Sequence, residues 1–82
     1  MNATRGVILH VEDEPGMVEL VEEALAVDGW SVHPAPTGAR GLELLGTETI
    51  QLMLLDYALP DMFGSQFLDR AAVLGKKLPP FI

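Results

Sequence analysis

Apolar residues fall in short blocks along this chain, separated by stretches with helical spacing. Residues 7–11 (Val7, Ile8, Leu9, His10, Val11) and 51–55 (Gln51, Leu52, Met53, Leu54, Leu55) are runs rich in branched side chains. Such runs belong to strands buried on both faces of a parallel sheet. After the first run, Pro15 occupies a first helical position, with Asp13 or Glu14 as the cap before it. Val18, Val21, Ala24 and Leu25 recur on one face of that helix with Leu20 beside them, while Glu19, Glu22 and Glu23 take the solvated face. Asp28 and Gly29 close it. Residues 30–35, with Val32 inside, form a second strand, and Pro34 places it at a sheet edge because proline has no N–H for the ladder. Thr37 caps a second helix whose inner face is Leu42 and Leu45 with Leu44 alongside; Gly41 weakens its middle and Gly46 ends it. Residues 57–63 are a loop marked by Pro60 and Asp61. A third helix begins at Ser65, points Phe67, Leu68, Ala71 and Leu74 inward and ends at Gly75. Residues 78–82 open a fourth strand. The order β-α-β-α-β-α-β predicts an α/β fold, a doubly wound parallel sheet built from right-handed crossovers.

The polar residues that matter most follow the two apolar runs. Glu12, Asp13 and Glu14 come directly after the first, and Asp56 directly after the third strand. Open α/β sheets bind ligands outside the carboxyl ends of their strands, where the strand order reverses. With those two strands adjacent, Glu12, Asp13 and Asp56 converge in one crevice. Crowded carboxylates repel, and a hard divalent cation with oxygen ligands relieves them. The pattern therefore predicts a Mg2+ site beside a carboxylate able to act as a nucleophile. Glu14 is expected to serve the helix start instead.

Composition narrows the setting. The chain has 82 residues, 49% of them hydrophobic, which suits one small globular domain. A net charge of −7 argues against direct nucleic-acid binding, since nothing could neutralise a run of phosphates. Cysteine is absent, so no disulfide or thiolate-metal staple is available. No apolar stretch reaches the ~20 residues that span a bilayer, and Met1, Asn2, Ala3 and Thr4 lack the apolar core of a secretory signal. A cytoplasmic protein without membrane association is expected, with Lys76 and Lys77 in a solvated loop.

Residues 8–15, then Leu54, Leu55 and Asp56 followed by Leu59, Pro60 and Gly64, resemble the receiver (CheY-like) domain of bacterial two-component response regulators. The resemblance implies a flavodoxin-like sheet of strand order 2-1-3-4-5, truncated here at the start of strand 4, so residues 1–82 are expected to be an incomplete receiver domain. It implies that Asp56 is the phosphoacceptor and takes its phosphoryl group from a sensor histidine kinase or phosphotransfer protein in a phosphorelay. It further implies that Asp13 binds Mg2+ directly, that Glu12 acts through metal-bound water and that the backbone carbonyl of Ala58 completes the protein's ligands. Such a domain is a signalling module rather than an enzyme acting on a small molecule.

Two other readings stay open. A degenerate receiver would serve only interaction or dimerisation. A Mg2+-dependent phosphotransferase with an aspartyl nucleophile would usually carry a second acid two residues on, where this chain has Ala58, which moves no proton. Three departures from the family pattern bear on the site. Glu12 stands where Asp is common, and Phe63 where a small polar residue is usual. The family's hydroxyl residue of strand 4 and Lys of strand 5 would fall beyond Ile82. Phosphorylation of this segment alone is therefore expected to be poor or absent, and an uncovered flank of strand 3 to favour self-association or poor folding of the segment alone. His10 is expected to be a hydrogen-bonded packing residue, His33 a surface residue, and Trp30 a packing residue over a helix end.

Overall fold

A computed structural model describes residues 5–75 and 77–82; the expectations for Met1–Thr4 and Lys76 lie outside the described residues. Strand β1 (Gly6–Val11) is followed by α1 (Pro15–Ala26), β2 (Trp30–Ala35), α2 (Gly38–Thr47), β3 (Leu52–Leu55) and α3 (Gly64–Val73). All strand pairs are parallel and the order is β2-β1-β3, with His10 opposite both Pro34 and Leu54. Pro34 thus sits on the edge strand, as its missing N–H requires. Beyond β3, Phe81 makes a parallel bridge to Met53. The N–H of Met53 donates to the carbonyl of Pro80 (2.9 Å) and that of Leu55 to the carbonyl of Ile82 (2.9 Å). Residues 78–82 therefore do open a fourth strand.

The core lies on one face of the sheet. Leu9 and Val11 of β1, Ala35 of β2 and Met53 of β3 meet Leu44, Leu45, Phe67 and Ala71 from α2 and α3. Gly41 is part of that packing rather than a weak point: a β-carbon there would lie 2.9 Å from Phe67 and 3.0 Å from Val11. The bare turn lets α2 approach the sheet closely, which offsets the helix propensity that glycine sacrifices. The expected inner pair of α2 is also adjusted. Leu44 and Leu45 are buried and Leu42 only half so, and the helix runs through Gly46 to Thr47.

The other face carries α1 alone, and no α1 residue is fully buried. Val18, Val21 and Leu25 are half-buried against it, but Ala24 is exposed and Leu20 is 61% exposed. Glu22, expected on the solvated face, is half-buried instead. Val18, Val21, Glu22 and Leu25 lie within about 100° of one another around the helix, so they share the face turned toward β2, and Ala24 falls outside it. Leu74, expected inward, is 45% exposed at the end of α3. Gly29 (φ +87°) and Gly75 (φ +76°) take the left-handed backbone that ends α1 and α3.

Candidate metal and phosphoacceptor site

Parallel register alone brings the acids together. β1 and β3 pair through Val11 and Leu55, so the residues that follow leave the sheet side by side. The ladder runs one step further, the N–H of Asp56 donating to the carbonyl of Val11 at 3.1 Å and that of Glu12 to the carbonyl of Ala35 at 2.9 Å. Backbone hydrogen bonds thus hold Glu12 and Asp56 where both strands end. Among the described residues, Glu12, Asp13 and Asp56 form a group in which one carboxylate oxygen from each lies within 4.8 Å of the others. Opposite ligands on an octahedral Mg2+ are about 4.2 Å apart, given bonds of about 2.1 Å. The spacing is thus near the width of one ion's ligand shell. Glu12 and Asp56 are half-buried and Asp13 is exposed, which leaves a side open to water. The donor set is all oxygen and anionic, the kind a hard cation takes.

Ala58 is exposed at the start of the loop and pairs with Phe63 in an antiparallel bridge. Phe63 does not disturb the turn. It stands at the N-cap of α3, its N–H donating to the Gln66 side chain at 2.9 Å, and its ring lies 5.5 Å from that of Tyr57. Gly64 is pinned beneath them: its N–H donates to the Tyr57 carbonyl at 2.6 Å, and a β-carbon would come within 3.0 Å of the Asp56 carbonyl. Glu14 occupies the N-cap of α1 as expected, yet its side chain caps nothing.

His10 packs as expected but without the expected partner. It is 5% exposed, and its Nδ1 has no hydrogen-bond partner among the described residues. Burial holds its pKa below the ordinary value, against the opposing pull of Glu12, Asp56 and Glu22. His33 is not a bare surface residue: half-buried, its Nδ1 joins Glu48 and its Nε2 lies 3.2 Å from the Ser31 hydroxyl, tying β2 to the end of α2.

Asp61, in the sequence only a loop marker beside Pro60, also has a part in this region. Asp61 accepts from the N–H groups of Gly38 (2.8 Å) and Ala39 (2.9 Å) at the start of α2. Those bonds, Ala39's first, hold its carboxyl below the ordinary carboxylate range. Their stabilising effect is present above the ordinary carboxyl value and is lost as pH falls through the lowered folded one.

Fold and site together define a flavodoxin-like α/β domain with an acidic crevice at its central strand ends. Residues 8–81 match the model of the response regulator receiver domain, and the chain belongs to that family. It is 32% identical over 75 residues to the transcriptional regulatory protein GlrR of Escherichia coli, covering 92% of this chain and 17% of that protein. Among solved structures, the receiver domain protein (CheY-like) from Methanospirillum hungatei superposes with a TM-score of 0.79 at 33% identity, covering 84% of this chain and 55% of that one. The response regulator TrrA from Thermotoga maritima, in complex with Mg(2+)-BeF, superposes with a TM-score of 0.75 at 29% identity, covering 79% and 56% respectively. The chain spans only part of each relative's length. Among the described residues, no helix is long and apolar enough to cross a membrane.

Proposed function

We propose that Asp56 accepts a phosphoryl group from a phosphohistidine on a histidine kinase or phosphotransfer protein, in a Mg2+-dependent step of a two-component relay. The observation that carries this reading is the convergence of Glu12, Asp13 and Asp56 at the ends of two adjacent parallel strands. Glu12, Asp13, Asp56 and the backbone carbonyl of Ala58 would hold the ion. When bound, Mg2+ supplies positive charge that offsets the negative charge of the transferring group. A carboxylate oxygen of Asp56 forms the new P–O bond as the donor's P–N bond breaks, leaving an acyl phosphate. The backbone bond from Asp56 to Val11 fixes the main chain from which that carboxylate extends. A module of this kind changes state once per phosphorylation rather than turning over a small substrate, and cytoplasmic placement goes with its kinase partner.

Incubation with acetyl phosphate and Mg2+ is the test. It is expected to add, slowly, one phosphoryl group per chain that is labile to acid and base, and EDTA is expected to prevent its entry. Equal labelling with Mg2+ and with EDTA, or a label found on Glu12, Asp13 or His10 instead of Asp56, would contradict the reading.

A further inference from the structure

We propose that Asp61 is a positioning residue for the metal site, clamping the 57–63 loop to the first turn of α2 so that the Ala58 carbonyl faces the acidic crevice. The inference rests on the reading of Glu12, Asp13, Asp56 and Ala58 as the Mg2+ ligands.

The physical chain is short. A peptide unit is planar, so its C=O and N–H point in opposite directions and fixing one fixes the other. The unit joining Ala58 to Leu59 is fixed through its N–H, which donates to the Met62 carbonyl at 3.0 Å. The orientation of the Ala58 carbonyl therefore depends on where Met62 is held. Met62 is 7% exposed and lodged against Gly38, where a β-carbon would lie 2.5 Å from its sulfur. Arg70 reaches the same sulfur with Nη1 at 3.8 Å. Asp61, the residue just before it, takes both free N–H groups of that α2 turn, those of Gly38 and Ala39.

Thr37 already caps α2 through the N–H of Arg40 at 3.1 Å. Asp61 thus adds a second, distant cap, and a carboxylate at a helix N-terminus is also favoured by the helix dipole. The same corner anchors the far wall of the crevice, because the Glu12 N–H donates to Ala35, two residues before Thr37. One carboxylate therefore ties the loop to the structure that holds Glu12. A loop tied at both its bridge (Ala58 to Phe63) and its tip presents its carbonyl without a search.

Mg2+ titration followed by backbone NMR tests this, with the affinity read from the Asp56 and Ala58 amides and the Ala58 carbonyl carbon followed directly. Asp61→Ala is expected to weaken Mg2+ about three- to tenfold and to shrink the Mg2+-induced shift of the Ala58 carbonyl carbon. Asp61→Asn keeps one acceptor oxygen and is expected to fall between the two; it also carries the test should the alanine variant fail to fold. Leu45→Ala, a packing loss at the other end of α2, serves as a control for mere destabilisation and is expected to leave the Mg2+ affinity unchanged. Wild-type affinity in both Asp61 variants, or an equal loss in the Leu45 control, would overturn the clamp while leaving the metal site standing. A wild type that shows no Mg2+ response at Asp56 would overturn the metal site itself, and the clamp with it.

Discussion

Asp56→Asn is expected to reduce phosphoryl incorporation from acetyl phosphate to background. The amide oxygen that replaces the carboxylate has its lone pairs drawn into the C–N bond and is a poor nucleophile. Two other carboxylates have oxygens within 4.8 Å, so the experiment asks which of three close acids reacts. Asp56 differs from the exposed Asp13 in being half-buried with its own N–H locked to Val11; Glu12 shares both features, its N–H held by Ala35, so the variant decides between those two. The fold should survive the change, because it removes one of three mutually repelling charges and keeps the backbone hydrogen bond intact. Thermal unfolding checks that, and mass spectrometry counts the label. Retention of a substantial share of the label in the variant would move the acceptor role to a neighbour.

The second large effect concerns the cation. Mg2+ at ten times its Kd is expected to stabilise the wild type by about 1.4 kcal/mol, since it binds the folded chain and not the unfolded one. For a domain of this size that corresponds to a rise in Tm on the order of 5 °C or more. Asp13→Asn is expected to abolish the rise, because it removes the ligand charge closest to solvent and leaves a donor set too weak to compete with water. The same substitution should raise the Tm of the metal-free protein slightly. Like charges about 4 Å apart repel by about 1 kcal/mol in water, and the exposure of Asp13 keeps the effect at that low end. The two shifts have opposite signs, which separates loss of metal from general damage. Differential scanning calorimetry with and without Mg2+ reads both.

The parts of this molecule that follow from local chemistry were legible in the sequence. Pro34 marked the edge strand, the apolar runs marked β1 and β3, and the acids after those runs marked the crevice, because strand ends in a parallel sheet meet by register alone. Thr37 announced the start of α2 through an ordinary cap. By its charge Glu22 reads as solvated, although at helical spacing it lies on the same face as Val18, Val21 and Leu25, with Ala24 to one side. What was not legible depends on how elements lean on one another. Gly41 read as a weak helical position until Phe67 and Val11 were seen against it. Asp61 was hidden most thoroughly. Beside Pro60 it marked only a loop, and its true partners, Gly38 and Ala39, lie more than twenty positions away. The one available signal was that α2 starts Gly38-Ala39 with no acid in its first turn, so a carboxylate brought from elsewhere had an open place to bind.

Whether Glu12, Asp13 and Asp56 hold one cation between them is read most directly with Mn2+. It takes oxygen ligands much as Mg2+ does, and its unpaired electrons broaden nearby NMR signals. Trace Mn2+ added to 15N-labelled protein is expected to erase the amide signals of residues 12, 13 and 56–58 first, with excess Mg2+ restoring them. Broadening centred instead on Glu19, Glu22 and Glu23 along α1, or spread evenly over the acidic surface, would contradict a shared site at the strand ends.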